Sequence, residues 1–394
     1  MTTNIKQVKR KRYNGEGCIR EQKDGRWVAR IQIGKTTDGK PKIKALYGHS
    51  EREVRKKLRD YQRELVSGIE EVSKLTVAEY IDRWLKVYKA KSVKPSTYDR
   101  MENTFIYHVR DSIGYIQVGN INSIDIQNLI NEKSEFLSYS SVKKIQELLN
   151  ACFKQAEIIG DIRRNPMQGV TMPLKKTMNI ATKEVEIYTE DDIQKITETI
   201  NRTFTDKCKL YRYSPIFILM FNTGLRMGEV LALTWDCINF DNKTLRVKET
   251  MSYVKSRKNS DKARTILFSD PKTVNSSRIV PLNEKSINAL NEVLRRNEEQ
   301  NVKTNYVVSN LNGSYVLPRN FSLAFERLCN RSDVTFKGVH ATRHTFASNA
   351  IRLGIEVKVV SEILGHSSIQ ITYNKYVHII QEQKMKAVTL LDAL

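Results

Sequence analysis

Trp27, Ala29, Ile31 and Ile33 occupy alternate positions, with Arg26, Val28, Arg30 and Gln32 falling on the other parity. Side chains on a strand point to opposite faces in turn, so this period of two predicts a strand with one apolar face. The pairs Asp24-Gly25 and Asp38-Gly39 bracket it and suit tight turns, so a three-stranded meander is expected. On the third strand Ile43, Ala45 and Tyr47 are expected inward, Lys42 and Lys44 outward. A helix is expected from Ser50, with Ser50 and Glu53 as a capping box. Its Val54, Leu58, Tyr61 and Leu65 recur at helical spacing and can cover the apolar sheet face.

From about residue 74 to 170 the period becomes helical throughout. Thr76 to Glu79 reads as a second capping box, followed by a stripe of Val77, Tyr80, Ile81, Trp84, Leu85 and Tyr88. A linker over 89–95 precedes a helix from about Ser96 with Tyr98, Met101, Phe105 and Val109 on one side. Val142, Ile145, Leu149, Cys152 and Ala156 mark a later helix, and Asn165-Pro166 closes the segment. A third segment opens near Tyr188, with Thr189 capping a helix, and mixes helices with short strands between Thr244 and Leu282. Residues 381–394 read as a short amphipathic tail carrying Met385, Val388, Leu390, Leu391 and Leu394. The expected fold is multidomain α+β: a basic three-stranded sheet plus helix over 1–70, an all-helical domain over 74–170, and a mixed, mainly helical domain over 186–380 with a small antiparallel sheet.

Charge changes the picture. Lys and Arg number 66 against 44 Asp and Glu, a formal net charge of +22. That excess favours a polyanion, nucleic acid or an anionic membrane. No run approaches the ~18 apolar residues of a membrane span, and the basic start MTTNIKQVKRKRYNG has no apolar stretch behind it, unlike a secretory signal. Nucleic acid is the expected partner. Residues 1–70 hold 19 Lys and Arg against nine Asp and Glu. The solvent face of the meander is expected to carry Arg20, Gln22, Arg26, Arg30, Lys42 and Lys44, and a β-ribbon fits the DNA major groove. In the helical segment Lys91, Lys94, Arg100, Lys143, Lys144, Arg163 and Arg164 are candidates for gripping a DNA backbone. Each of these sets is equally the pattern of a solvated basic face. The five cysteines are scattered without a CxxC pair, which supports neither a zinc site nor a disulfide framework and fits a reducing cytoplasm.

Four of the six histidines, His340, His344, His366 and His378, fall in the last 55 residues. There the candidate chemistry lies. Arg226 and Glu229, in Thr-Gly-Leu-Arg-Met-Gly-Glu from Thr223, sit three apart at the start of a helix and can pair. Pro271-Lys272-Thr273, followed by Arg278 to Leu282, reads as a hairpin with Lys272 near its tip. His340, Arg343 and His344 stand at i, i+3 and i+4 of a helix and can converge on one spot. Arg343 on that face would repel a metal cation and suits an anion instead. Leu364-Gly365-His366 is followed by Tyr376, with Gly365 ending one helix and Tyr376 on the next, and Tyr373 a competitor three residues earlier. Taken singly, the first pair is a surface ion pair and a loop lysine is a solvated one. Only their order is specific.

That ordered set, Gly-Leu-Arg-x-x-Glu, a hairpin Lys, His-x-x-Arg-His, Leu-Gly-His and then Tyr before a short tail, resembles the tyrosine recombinase (integrase) family. The likeness covers the third segment throughout. The helical segment is similar to that family's SAM-like core-site clamp, and the basic sheet to the arm-site-binding domain of conjugative-transposon and phage integrases. Ala341-Thr342 stands where the family more usually has a pair such as Asp-Leu, a departure that touches no catalytic group. The resemblance implies that Arg226 and Arg343 hold the nonbridging oxygens of a scissile phosphate, with hydrogen bonds from His340 and His366. It implies Tyr376 as the nucleophile of a 3′-phosphotyrosine, His340 as acceptor of the phenolic proton, Lys272 as proton donor to the leaving 5′-oxygen, and Glu229 as an orienting group. Because the ester stores the bond energy, neither ATP nor a metal is needed. A tetramer on double-stranded DNA is implied, with a directionality factor as a further candidate partner. A type IB topoisomerase or telomere resolvase would share this chemistry without needing a basic arm domain, and a non-catalytic DNA-binding regulator would leave the complete Arg/Lys/His/Tyr set unexplained.

Overall fold

The computed structural model describes residues 17–22, 24–35, 40–66, 74–178, 180, 186–201, 212–257, 263–269 and 277–377. The chain divides into two compact units, Met1–Thr182 and Lys183–Leu394.

The first unit opens with an antiparallel sheet of β1 (Cys18–Glu21), β2 (Trp27–Lys35) and β3 (Pro41–Gly48), in that order, followed by α1 (Glu51–Val66). Asp24 shapes the first turn by accepting from the Arg26 backbone and side chain, and the second Asp-Gly pair lies outside the described residues. Ala29, Ile31, Val54 and Leu58 form the buried core between sheet and helix. The phase of β3 is opposite to the expected one. Leu46 pairs with Ala29 and Lys44 with Ile31, so the even positions of β3 share the face that meets α1. Ile43 and Tyr47 are exposed on the other face. Both parities of β3 carry apolar residues, so alternation alone was ambiguous; the cross-strand register decides. Gly48 confirms the close side, because a Cβ there would meet Val54 at 2.7 Å. Half of the expected capping box of α1 is present, with Glu53 N–H donating to Ser50 Oγ, while the Glu53 carboxylate accepts from the His49 backbone instead of the Ser50 backbone.

The rest of this unit is helical: α2 (Val77–Trp84) running into a π-helical turn Leu85–Lys89, then α3 (Pro95–His108), α4 (Arg110–Ile113), α5 (Ser123–Phe136) and α6 (Tyr139–Ile158). Thr76 and Glu79 form the expected capping box, and Asn122 with Asp125 forms another. The predicted stripes become one core around Trp84, Phe105, Ile126, Leu149 and Phe153, except for Tyr88, which is exposed.

The second unit begins with α7 (Glu190–Asn201), capped by Thr189. It continues through α8 (Ser214–Thr223), α9 (Met227–Leu231), β4 (Ile238–Asn239), β5 (Thr244–Val247), β6 (Thr250–Lys255), β7 (Arg264–Ser269), β8 (Arg278–Pro281), α10 (Glu284–Glu299), α11 (Pro318–Arg331), α12 (His340–Arg352) and α13 (Val357–Leu364). A last helix, α14, covers 369–377. Strand order β4-β5-β8 makes one small sheet and β6-β7 another. The expected hairpin around Lys272 is therefore corrected: β7 pairs with β6, whereas β8 pairs with β5 through Val247 opposite Arg278. Lys272 itself lies outside the described residues, as does the 381–394 tail. The main core stacks Phe217 on Phe325, ring centroids 4.4 Å apart. A smaller core of Ala347, Ala350, Ile351, Val360, Leu364 and Tyr376 underlies α12 to α14. Among the described residues no helix is long and apolar enough to cross a membrane.

Candidate active site

Two glycines set the frame. Gly224 ends α8 at φ 64° and Gly365 ends α13 at φ 65°, the left-handed conformation that glycine adopts without strain. Their neighbourhoods are tight as well: a Cβ on Gly224 would meet Phe346 at 2.6 Å. Each turn leaves carbonyls at a helix C-terminus, where partial negative charge gathers. Arg343 bridges the two ends, donating to Gly224 O at 2.9 Å and to Leu364 O at 2.7 Å. It is 2% exposed. Burial first, then Arg226, lowers its pKa to about 9, so it stays cationic at neutral pH.

Arg226 caps α9. Its backbone N–H donates to Glu229 Oε2 and its Nη1 to Glu229 Oε1, at 2.9 and 2.8 Å, while Nη2 reaches Gly365 O. The expected Arg226–Glu229 pair is thus present, but Glu229 also takes a cation that the sequence did not single out. Arg278 Nη2 lies 2.9 Å from Glu229 Oε2, and its Nε donates to Ile363 O. Burial pushes the Glu229 carboxyl up; the hydrogen bond and charge of Arg278, with those of Arg226, outweigh it and leave the pKa below the ordinary value.

Tyr376 is 1% exposed, whereas Tyr373 is 37% exposed. The Tyr376 hydroxyl lies 2.8 Å from His344 Nδ1. His340, the acceptor favoured from sequence, instead stands edge-on to the His344 ring, with centroids 4.7 Å apart. His366 Nδ1 pairs with the buried Thr372 hydroxyl at 2.7 Å, which fixes its ring. Desolvation, followed by the charges of Arg343, Lys375 and Arg226, holds His340 at about 4. The same kind of surroundings hold His366 at about 3, with desolvation again first and Arg343 next. Both rings are neutral at pH 7, and an arriving anion would raise their affinity for protons. Arg226, Arg278, Arg343 and Lys375 all bear on His366, and Glu229 is the one carboxylate set among the three arginines. Among the described residues no group of three His, Cys, Asp or Glu side chains gathers as a metal site. The arrangement is a cationic, donor-rich cradle with a phenol beside it.

Arg226, Glu229, His340, Arg343, His366 and Tyr376 are therefore brought together, and Lys272 lies outside the described residues. Of the basic residues, Arg20 and Arg30 lie on the sheet face away from α1 with Tyr47, since Arg20 and Tyr47 both oppose Val28 and Arg30 opposes Ala45. Lys44 shares the face of Ile31, and Lys42 follows by alternation, which removes both from the expected ribbon surface. Arg26 is tied to Asp24 at 2.6 Å. Lys91, Lys94 and Lys143 are exposed in the helical segment. Arg278 and Thr372 are contributions that sequence reasoning missed, and His344, expected on the same helix face as His340 and Arg343, is given no role of its own by that reasoning.

Residues 186–383 match the Phage integrase family, and residues 76–134 match the Phage integrase, N-terminal SAM-like domain. The chain is 31% identical over 381 residues to a protein named Tyrosine recombinase XerC-like from Caldanaerobacter subterraneus subsp. tengcongensis, covering 92% of this chain and 95% of that one. In fold it is similar to the Tn1549 transposon integrase in complex with a circular intermediate DNA, with a TM-score of 0.64 and 20% identity over 79% of this chain and 99% of that one. It is also similar to a lambda integrase dimer bound to a COC′ core site, with a TM-score of 0.55 and 17% identity over 91% and 94% of the two chains. Sequence shared along nearly the whole length, over a cradle of arginines and a buried phenol, places the chain in the phage integrase family: it is a tyrosine recombinase, an enzyme of DNA strand exchange.

Proposed function

We propose that this recombinase is the integrase of a mobile element, cutting and rejoining double-stranded DNA at attachment sites through Tyr376. Arg226 and Arg343 would bind the nonbridging oxygens of the scissile phosphate, with His340 and His366 donating to it. Fixed cationic donors stabilise the charge that grows on those oxygens at the transition state without having to reorganise. Tyr376 displaces the 5′-oxygen and stays joined to the 3′-phosphate, and Lys272 protonates the leaving oxygen. Reversal by a 5′-hydroxyl of a second duplex rejoins the strands through a Holliday junction, with neither ATP nor metal. Residues 74–170 would clamp the core site, residues 1–70 would hold distant arm sites through Arg20 and Arg30, and Lys91, Lys94 and Lys143 would meet phosphates. Four copies would act together, with the 381–394 tail and a directionality factor as further contacts in the bacterial cytoplasm.

The observation that carries this reading is the convergence of Arg226, Arg343 and Tyr376 within one unit, both guanidinium groups anchored to helix-end carbonyls. A nicked substrate, from which the cleaved end diffuses away, tests it. An integrase traps a covalent adduct at one specific sequence. In a parallel assay on a closed supercoiled plasmid, relaxation without sequence preference would point to a topoisomerase, and no adduct at all on the nicked substrate to a regulator.

A further inference from the structure

The contact between Tyr376 and His344 has no part in the chemistry assigned above. The phenol is buried among apolar side chains, with its hydroxyl 2.8 Å from Nδ1. A hydroxyl in that position has one proton to give, and a neutral imidazole has one bare nitrogen to receive it. His344 is kept neutral by its surroundings. Burial, then Lys375, His340 and Arg343, push it down to about 4. The titratable and charged groups that face it are His340 and Arg343 on its own helix, and Lys375 and Tyr376 on α14.

We propose that His344, through Nδ1, is the catalytic base that removes the phenolic proton as Tyr376 attacks the scissile phosphate. This role presupposes Tyr376 as the nucleophile. The O–H bond of Tyr376 breaks and its electron pair supplies the new O–P bond. The P–O5′ bond breaks, and its pair leaves on the 5′-oxygen, which takes a proton from Lys272. The phenolic proton stays on Nδ1 and returns to the tyrosine on ligation.

Without DNA the transfer is uphill, because burial raises the phenol to about 12. Substrate closes the gap from both ends. A phosphodiester anion in the cradle stabilises imidazolium, and the forming O–P bond draws electrons from the phenolic oxygen and acidifies its proton. Transfer then accompanies attack, to a nitrogen already in hydrogen-bond contact.

The test uses the full chain with His344→Ala, His344→Gln and Tyr376→Phe, on a nicked substrate, with DNA binding and single-turnover adduct formation followed across pH. Both His344 variants should bind DNA like the parent and form adduct on the order of 100-fold more slowly, within the usual range for a general base. The fall in rate toward acid pH, where a protonated His344 cannot accept, should flatten in His344→Gln. Difluorotyrosine at position 376, a more acidic phenol, should restore His344→Ala far more than it speeds the parent. Adduct formation at the parental rate or faster would overturn the proposal. So would a slow variant that neither the acidic phenol nor pH affects, since that marks a side chain which only holds the ring. An adduct in Tyr376→Phe would sink the nucleophile itself, whereas an inert Tyr376→Phe beside fully active His344 variants would sink only the base.

Discussion

Arg278 and Glu229 form an ion pair of 2.9 Å with side chains 6% and 5% exposed, joining residues 49 positions apart in the chain. Through it one carboxylate ties β8 to the start of α9, where Arg226 is held, and Arg278 reaches on to the end of α13.

Glu229→Gln should therefore be costly. Removing one member of a buried pair leaves uncompensated charge and costs about 3–5 kcal/mol. Urea unfolding should show the loss, and adduct formation should fall because Arg226 loses its anchor. The folded carboxyl has a pKa below its unfolded value. Its contribution is therefore present above the unfolded pKa, about 4.3, and is lost as pH falls through the folded one. Acid unfolding that starts at the same pH in Glu229→Gln as in the parent would remove this account.

Arg226→Lys keeps the charge but gives up the planar fork that now spans Glu229 and Gly365. Adduct formation should fall roughly 100-fold or more, the usual loss for one preorganised donor, with DNA affinity changed only a few-fold. Single-turnover cleavage and gel shifts measure the two separately. Equal cleavage by variant and parent would refute the role.

Gly365→Ala places a Cβ 3.0 Å from the Arg278 guanidinium at a positive φ. The left-handed backbone alone costs about 1–2 kcal/mol. Both Arg278 and the Gly365 carbonyl that receives Arg226 should shift, so stability and cleavage should drop together. A cleavage rate unchanged in a measurably destabilised variant would uncouple them.

Tyr376→Phe should abolish the covalent adduct while DNA binding persists, and Tyr373→Phe should leave the adduct intact. Losing the buried hydroxyl also strands His344 Nδ1 and should cost about 1 kcal/mol. The reverse pattern of adduct formation would move the nucleophile to the exposed tyrosine.

On the N-terminal sheet, replacing Arg20 and Arg30 with Ala should weaken binding to arm DNA and flatten its dependence on salt, since fewer counterions are released. Replacing Lys42 and Lys44 should do less, because they lie on the α1 side of β3. Equal losses would contradict the register.

Much of the architecture was legible in the chain. Capping residues and helical stripes over 74–170 predict local structure because their physics is local: a cap meets a backbone three residues away, and a stripe needs only a period. The strand phase of β3 was not legible. Ile43, Ala45 and Tyr47 on one parity compete with Leu46 and Gly48 on the other, and the neighbouring strand chooses between them.

The site divides in the same way. Motif order alone named Arg226, Glu229, His340, Arg343, His366 and Tyr376, because each residue type suits an anion or its attack. Spacing within a helix predicted the Arg226–Glu229 pair. Packing decided that Arg278 completes that pair, that β8 joins β5, and that His344 rather than His340 meets the phenol. Those contacts join residues tens of positions apart. Hydrogen bonds and ion pairs act over a few ångströms, so partners distant in sequence become partners only once glycine turns and apolar cores have brought their helices together.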